Sequence, residues 1–216
     1  MLNGDFMKLE TAFQSLGGKV LVASPYISDQ NFEQSLVYIC MHDENGAVGV
    51  IINQRIGRIA EADLNNYIKD FQSLVVKKNR LTSQQMERLY SPSRRRNYPV
   101  LFGGPVYSDK IVVLSLTKEQ EKSFAENQHL TLYTDIVAFL KEYISGKSHS
   151  KLLFAKGIAA WNPSQLEEEV SENNWFVVPA SIDLLFSQRS KSKWEDLIKK
   201  FGIEKYHNLV GYSGTA

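Results

Sequence analysis

The chain has 216 residues, of which 43% are hydrophobic and 23% charged, and its formal net charge is +1. A chain of this length buries roughly 70% of its unfolded surface, so we expect one large domain that folds without metals or disulfides. The near-neutral charge excludes a global attraction to nucleic acid or membranes. The single cysteine, Cys40, excludes an internal disulfide.

The N-terminal sequence MLNGDFMKLETAFQSLGG carries Asp5 and Glu10 and lacks a basic region followed by an apolar run. It therefore does not have the pattern of a signal peptide. No stretch reaches the roughly 18 apolar residues of a membrane helix. Together with the lone cysteine, these features predict a cytoplasmic protein with no membrane partner. The four histidines are scattered without metal-ligand spacing, so neither a metal nor another cofactor is predicted.

Three strands are predicted first along the chain, at 19–27, 35–42 and 47–53. The last two strands flank the sequence DENG. An Asn-Gly pair between apolar runs is typical of a hairpin, because Gly46 accepts a positive φ without steric cost. The residues from Asp43 to Asn45 are therefore interpreted as a turn, and His42 as the end of a strand.

The rest of the chain alternates predicted helices and strands. A helix at 61–71 has one-sided apolar spacing, and a capping box formed by Thr82 and Gln85 begins a helix at 82–89. Three strands follow, at 98–104, 110–116 and 129–134. The last third contains helix 135–146 ended by Gly146, strand 150–157, helix 164–170, strand 173–180 and helix 192–202. About seven strands with four or five helices favour a mixed sheet over a purely parallel one.

An acidic run lies in the predicted helix 164–170. Ser164 and Glu167 have the spacing of an N-terminal cap, and acids in a first turn suit the positive end of the helix dipole. Three consecutive acids point in different directions, so capping explains them better than acid-base chemistry does. Trp161 and Trp175 are interpreted as packing anchors on either side of this helix.

His42 and Asp29 are the catalytic candidates, whereas Cys40 is interpreted as a core residue. Cys40 lies within an apolar strand, where a thiol behaves as a small hydrophobic group. His42 follows two residues later and is predicted to share the strand face of Cys40. As a general base it would need an orienting carboxylate, which Asp43 cannot supply from the opposite face. Asp29 is the carboxylate that would complete a hydrolytic site with His42.

The sequence FGGPV at 102–106 follows a predicted strand. It lacks the G-x-G-x-x-G spacing and the Walker lysine, so nucleotide binding is not predicted. Gly103 and Gly104 before Pro105 instead indicate a sharp turn or a close approach of two backbone segments. A small-molecule pocket at this turn is the less favoured alternative.

The segment 77–96 contains seven Lys or Arg residues and one acid, Glu87, which makes it a net +6 stretch in a nearly neutral chain. Such a segment can meet phosphates or an acidic partner, although a solvated loop and helix is the favoured interpretation. No helix-turn-helix or zinc finger accompanies it. Nucleic-acid binding through Arg94, Arg95 and Arg96 would therefore be weak, electrostatic and non-specific.

Three ordered blocks of the sequence resemble the YqgE/AlgH family. They are GGKVLVASPYISDQNFEQSLVYICMHDENGAVGVIINQ, then VLFGGPV, then KGIAAWNPSQLEEEVSENNWFVVPA followed by LLF and W. The resemblance runs from Gly18 to the closing GTA. The chain departs from the family pattern at Ala160 and at Pro163-Ser164, where the family has glycine, and in a longer, more basic 72–98.

The resemblance implies an α+β fold, with a single compact domain and a mixed, strongly curved β-sheet flanked by helices. It divides the chain into an N-terminal extension at 1–17 and a domain at 18–216, with a basic insertion at about 72–98. The family has no settled enzymatic activity, and one branch is named for a proposed role in regulating alginate genes. If the chain binds a ligand, the candidate residues are Asn31, Asn53, Gly103, Gly104, Trp161 and Gln165.

Three functions stay open. The favoured one is a non-enzymatic cytoplasmic protein that binds an unidentified protein or small molecule, with a transcription-related regulatory role. The alternatives are a hydrolytic enzyme that uses His42 and Asp29, and a weak nucleic-acid binder that uses the basic segment 77–96. The discriminating observation is whether His42, Asp29, Asn53 and the Gly103-Gly104 turn converge on one cavity.

Overall fold

The structure is a computed structural model that describes residues 13–60, 97–187 and 192–201. The strands of these residues belong to one nine-stranded sheet. In chain order they are β1 Lys19–Ala23, β2 Leu36–Asp43, β3 Gly46–Ile51, β4 Arg55–Ala60, β5 Asn97–Phe102, β6 Val106–Thr117, β7 Thr131–Tyr133, β8 His149–Trp161 and β9 Trp175–Pro179. The helices are a 3-10 helix Gln30–Phe32 and α1 Lys118–Lys122, α2 Phe124–Asn127, α3 Ile136–Ser145, α4 Gln165–Ser171, α5 Ile182–Phe186 and α6 Ser192–Lys200.

The long strand β8 joins the two halves of the sheet. In the first half, β9, β1, β2 and β3 pair antiparallel in that order, and β3 pairs with the end of β8. In the second half, β8 pairs parallel with β5 and antiparallel with β6. The sheet is therefore mixed, and it curls into a half-barrel. This confirms the predicted single α+β domain with a strongly curved sheet.

Gly157 interrupts the alternation of β8. Before this glycine, Leu153 and Ala155 contribute to the main hydrophobic cluster, whereas Ile158 does so after it. The face that points to that cluster thus shifts by one residue. Gly157 has a φ of 76°, and the ladder to β6 is irregular opposite it. Because a bulge bends and twists its strand, this residue lets β8 serve both halves of the curled sheet.

The Gly103-Gly104 segment crosses β8 at backbone contact distance. A Cβ on Gly103 would lie 2.2 Å from the carbonyl oxygen of Gly157, and one on Gly104 would lie 2.3 Å from the carbonyl carbon of Ile158. Gly104 also has a φ of 145°. Side chains larger than hydrogen do not fit at either position. The close backbone approach predicted from FGGPV is therefore confirmed.

The β2–β3 hairpin has the predicted turn. Asp43 pairs with Gly46 in the ladder, and its carboxylate accepts the backbone N–H of Asn45 at 2.8 Å. Gly46 has a φ of 121°, and a Cβ there would lie 2.2 Å from the carbonyl oxygen of Trp161. The glycine therefore serves both the turn and the contact between the hairpin and β8.

The prediction that Cys40 and His42 share a strand face is wrong. The β2–β3 ladder is irregular between Ile39 and Met41, so Cys40 is an extra residue that shifts the alternation. Cys40 packs against the main hydrophobic cluster. His42 instead pairs with Ala47, which belongs to the cluster on the other face.

Apolar side chains form three clusters on the two faces of the sheet. The main cluster takes residues from both halves of the sheet and from α5 and α6, including Tyr38 and Trp194. A second cluster, around Phe139 and Phe154, packs α3 against β6 and β8. A third cluster packs Leu166 of α4 against the other half of the sheet. The second and third clusters therefore hold one helix near each end of β8.

The predicted elements that fall in the described residues are present, with shifted ends. Helix 135–146 is α3, and its C-cap Gly146 has the left-handed φ of 97°. Strand β8 continues past the predicted end to Trp161. The sequence did not predict β4, whose first four residues are exposed, or α1, α2 and α5, which are too short to show a helical period.

The helices predicted at 61–71 and 82–89 and the basic segment 77–96 lie outside the described residues. No described helix has the length and apolar character needed to cross a bilayer.

Candidate functional site

A cleft of about 330 Å³ lies between α4, the end of β8 and the loop that follows β1. This volume is within the range of small-molecule sites. The side chains that give the cleft its chemistry are Asp29, Phe32, Trp161, Gln165 and Glu169. Three of these, Asp29, Trp161 and Gln165, are candidates from the sequence.

The carboxylate of Glu169 organises the hydrogen bonds at this cleft. Its Oε2 accepts the indole N–H of Trp161 at 3.0 Å and that of Trp175 at 2.7 Å. Its Oε1 accepts the amide N–H of Gln165 at 2.9 Å. All three donors are neutral, and within the described ranges Glu169 forms no ion pair with a basic side chain. The cleft therefore has an acidic wall that no described cation neutralises.

Three aromatic rings surround this carboxylate. Phe32, from the 3-10 helix, stacks on Trp161 with 5.9 Å between ring centroids and meets Trp175 edge-on at 5.4 Å. The two indoles contact each other edge-on at 6.1 Å. Both tryptophans are buried, so their predicted role as packing anchors is confirmed. Phe32 and Trp161 also line the cleft, and aromatic rings attract positive charge.

Asp29 adds a second carboxylate to the cleft. It is the N-cap of the 3-10 helix, and its Oδ1 accepts the backbone and side-chain N–H groups of Asn31 at 2.8 and 2.9 Å. Asn31 is exposed and acts on the cleft only by orienting Asp29. The side chain of Asp29 is therefore positioned locally, by the short helix that it begins.

Ser164 is the N-cap of α4 and Glu167 and Glu168 lie in its first turn, as predicted, but the side-chain cap that the sequence suggested is absent. Ser164 has a φ of 65°, and its side chain makes no cap hydrogen bond to α4. Gln165 instead accepts the backbone N–H of Asn162 at 3.0 Å and donates to Glu169 one turn later. Glu169 is the residue of the cleft that the sequence did not single out as a binding candidate. Its only local signal is the i, i+4 spacing from Gln165, which places both side chains on one helix face.

His42 is not among the residues that line the cleft. Its Nδ1 accepts the backbone N–H of Leu16 at 2.9 Å, and its carbonyl oxygen accepts the hydroxyl of Ser15 at 2.8 Å. Its Nε2 lies 3.3 Å from Oε1 of Glu167, at angles outside those of a hydrogen bond. The ring of Phe13 packs edge-on against the imidazole. In these contacts His42 fastens the segment before β1 to the end of β2.

Two further candidates have backbone partners. The buried Asn53 accepts the N–H of Leu36 and donates to the carbonyl oxygen of Gln34, each at 2.8 Å. The Gly103-Gly104 turn packs on β8 and brings the next residue, Pro105, into the cleft wall. The cleft therefore gathers Asp29 and the end of this turn, whereas His42 and Asn53 lie elsewhere. Arg94, Arg95 and Arg96 lie outside the described residues.

A serine and a histidine meet at the other end of β8. Ser115 Oγ lies 2.5 Å from Nδ1 of His149. Burial, with a smaller contribution from Lys147, lowers the pKa of His149, which favours the neutral imidazole. Ser115 is fully buried, however, and a hydroxyl without access to substrate cannot act as a nucleophile. Ser115 and His149 are residue types that form catalytic dyads, but here their contact has a structural role.

The thiol of Cys40 is also poorly suited to act as a nucleophile or a metal ligand. Its Sγ donates to the carbonyl oxygen of Tyr38 at 3.8 Å, and burial raises the pKa of the thiol far above its usual range. A thiol that stays protonated is a poor nucleophile and a poor metal ligand. Across the described ranges, no three His, Cys, Asp or Glu side chains come together as a metal site.

The sequence matches one known family over most of its length. The model of a family described as AlgH-like matches residues 20–206. A UPF0301 protein from Rickettsia prowazekii is 31% identical over 197 residues, which cover 90% of this chain and 93% of the relative. A UPF0301 protein from Xanthomonas campestris pv. campestris is 32% identical over 204 residues, which cover 93% and 96%.

Two solved structures are similar in fold. The solution structure of the AlgH protein from Pseudomonas aeruginosa aligns with a TM-score of 0.56 and 25% identity, over 94% of this chain and 100% of that one. A crystal structure of a protein from Corynebacterium diphtheriae aligns with a TM-score of 0.58 and 23% identity, over 87% and 88%. The second likeness concerns the fold alone.

Proposed function

The chain belongs to the AlgH-like family, and from that premise we propose that it is a non-enzymatic binding protein whose cleft takes a small organic cation. We further propose that it works in the cytoplasm and that ligand occupancy has a regulatory, transcription-related outcome. The domain at 18–216, with its extension at 1–17 and its basic insertion at 72–98, is part of the same proposal. The observation that carries the proposal is the position of Glu169, bound by neutral donors in the wall of an aromatic cleft.

Charge and shape together favour a cation. A carboxylate that accepts three neutral hydrogen bonds is held in place, and its charge remains available to a positively charged ligand. Asp29 supplies a second negative charge on the same cleft. The faces of Phe32 and Trp161 attract an ammonium or guanidinium group by about 0.5 to 2 kcal/mol. An amine or guanidine with a short apolar tail satisfies all of these groups at once.

The polar groups of the cleft support binding rather than bond making. Glu169 and Asp29 are each engaged in hydrogen bonds that orient them, and His42 contacts Glu167 and Leu16 instead of the cleft. The hydrolytic alternative with His42 and Asp29 stays a prediction. Hydrolase assays of wild type against His42→Ala test it, and equal background rates would end it.

The binding test uses three probes of similar size: n-butylammonium, n-butylguanidinium and neutral n-butanol. We expect both cations to change the tryptophan fluorescence saturably and to raise the melting temperature, and n-butanol to do neither. Glu169→Gln removes the central charge and should weaken cation binding about tenfold or more. Asp29→Asn keeps an N-capping side chain and should weaken binding about threefold, as expected for an exposed charge.

Glu168→Gln is the matched control, because Glu168 is the exposed residue next to Glu169 on the same helix. It removes the same charge and should bind the cations as wild type does. The proposal fails if n-butanol acts as the cations do, or if Glu168→Gln and Glu169→Gln lose affinity equally. It also fails if neither cation binds saturably to the folded wild-type protein.

Nucleic-acid binding through Arg94, Arg95 and Arg96 stays a separate prediction. Titration of duplex DNA at low salt into wild type and the triple alanine variant tests it. Binding that survives the triple substitution would show that these residues are not responsible.

A further inference from the structure

A second pocket, of about 490 Å³, lies at the beginning of β8, near the end of α3. The parallel ladder between β5 and β8 begins where Val100 pairs with Phe154. The pocket is lined by Tyr98 and Leu152, two residues before that pair on each strand. It therefore occupies the gap where the two strands separate, and Gly146 and Lys147 after α3 form one side of it.

Among the described residues, three lysines line this pocket and no acidic residue does. Lys147 forms an ion pair with Glu142, whose Oε2 also accepts the hydroxyl of Tyr133. Lys118 and Lys151 form no ion pair with any residue in the described ranges. Glu142 pairs with Lys147, and Lys118 interacts electrostatically with the exposed Glu119 beside it, but neither acid lines the pocket. The lining itself therefore has an excess of positive charge.

Aromatic rings form another part of the wall. The rings of Tyr143 and His149 stack with 6.0 Å between centroids and 25° between planes. Tyr98 packs against Phe154 of the second hydrophobic cluster at 5.1 Å. These contacts hold the rings in place, so the pocket has a preformed aromatic wall beside its lysines.

We propose that this basic pocket binds a small aromatic phosphomonoester, with its phosphate among Lys118, Lys147 and Lys151 and its ring against Tyr98 and Tyr143. A phosphomonoester is a dianion above its second pKa of about 6 and offers three acceptor oxygens. Lysine ammonium groups are common phosphate ligands, and each has three donors. Three lining ammonium groups without a described lining carboxylate favour a dianion over a singly charged carboxylate. No residue is shared with the cation cleft, so the two proposals stand or fall independently.

Isothermal titration calorimetry with phenyl phosphate tests this inference, with inorganic phosphate and phenol as the two partial probes. We expect phenyl phosphate to bind more tightly than either probe, and its affinity to fall as salt is raised. The double variant Lys118→Gln/Lys151→Gln removes the two unpaired lysines and should weaken phenyl phosphate binding about tenfold or more. A melting curve confirms that each variant is folded.

The matched control is Lys122→Gln/Lys156→Gln, since these exposed lysines lie on the same two elements, α1 and β8, outside the pocket. This variant has the same net charge as the test variant and should keep wild-type affinity. Equal losses in both double variants would overturn the inference, because the effect would then come from net charge. The absence of saturable phenyl phosphate binding to folded wild type would also overturn it. If inorganic phosphate binds as tightly as phenyl phosphate, the role of the aromatic wall is refuted.

Discussion

The two ends of β8 contain similar groups in opposite electrostatic arrangements. Near Trp161, aromatic rings surround the carboxylate of Glu169, and its hydrogen-bond donors are neutral. Near His149, aromatic rings also pack together, but the carboxylate of Glu142 is bound by Lys147 and further lysines remain in excess. The acidic end thus keeps a carboxylate that no described cation neutralises, whereas at the basic end the carboxylate is paired and two further lysines line the pocket. One strand carries an acidic cleft at one end and a basic pocket at the other.

The ionisation of Glu142 reflects this difference. Hydrogen bonds from Lys147 and Tyr133 lower the pKa of Glu142, and the same carboxylate raises the pKa of Lys147. Because the side chains of Lys147 and Glu142 are 43% and 42% exposed, solvent screens their attraction, and such pairs contribute about 1 kcal/mol or less to stability. Glu169 holds two buried indoles instead. We therefore expect the acidic end to depend more strongly on its carboxylate than the basic end does.

The largest expected effect comes from breaking the contact that holds the Trp161 end of β8. Gly46→Ala would place a methyl group 2.2 Å from the carbonyl oxygen of Trp161 at a φ of 121°. Backbone strain and overpacking each cost about 1 to 3 kcal/mol, so we expect a loss of about 4 kcal/mol in the free energy of unfolding. Urea unfolding followed by circular dichroism measures it.

Gly57→Ala is the control for this substitution. Gly57 lies on β4, and a Cβ added there would meet no heavy atom of the described residues within 4 Å. We expect this variant to be as stable as wild type or slightly more so, by about 0.5 kcal/mol, because alanine restricts the unfolded chain. Similar losses at both positions would show that the contact of the hairpin with Trp161 is unimportant.

The next effect in size separates the two carboxylates. Glu169→Ala leaves the indole N–H groups of Trp161 and Trp175 without their acceptor, and we expect it to lower the free energy of unfolding by about 2 kcal/mol. Glu142→Ala at the basic end should cost about 1 kcal/mol or less, and Glu168→Ala on the exposed face of α4 almost nothing. Urea unfolding of the three variants gives this order. A loss for Glu142→Ala as large as that for Glu169→Ala would contradict the comparison.

The sequence predicts those parts of the fold that are determined locally. Helices α3 and α6 show the helical period over several turns, and Gly146 ends α3 as expected. The bulges at Cys40 and Gly157 could not be predicted, because an extra residue in one strand is defined only by the partner strand. Alternation read through Cys40 therefore placed His42 on the wrong face.

Within the candidate site, the burial of large side chains could be predicted from residue type, whereas contacts between different elements could not. Trp161 and Trp175 are large and apolar, so their burial follows from their type. Their shared partner could not be predicted, because Trp161, Glu169 and Trp175 lie on three different elements that meet only in the folded sheet. Asp29 and Gln165 stand beside predicted turns in the sequence, but the sequence does not show that both residues line one cleft.

The smallest expected effect is a pH dependence at the basic end. Burial and, secondarily, Lys147 lower the pKa of His149 below its ordinary value of 6.5. Between the folded-state and unfolded-state pKa values, His149 is therefore mostly protonated in the unfolded chain and mostly neutral in the folded protein. The free energy of unfolding should therefore fall as pH drops through about 6.5, and level off below the folded-state pKa.

His149→Gln can still hydrogen-bond Ser115 but cannot titrate, so unfolding measured between about pH 7.5 and 5 should show a smaller decline. If His149→Gln loses stability as steeply as wild type, the decline arises elsewhere and burial of this imidazole does not distinguish the two ends of β8.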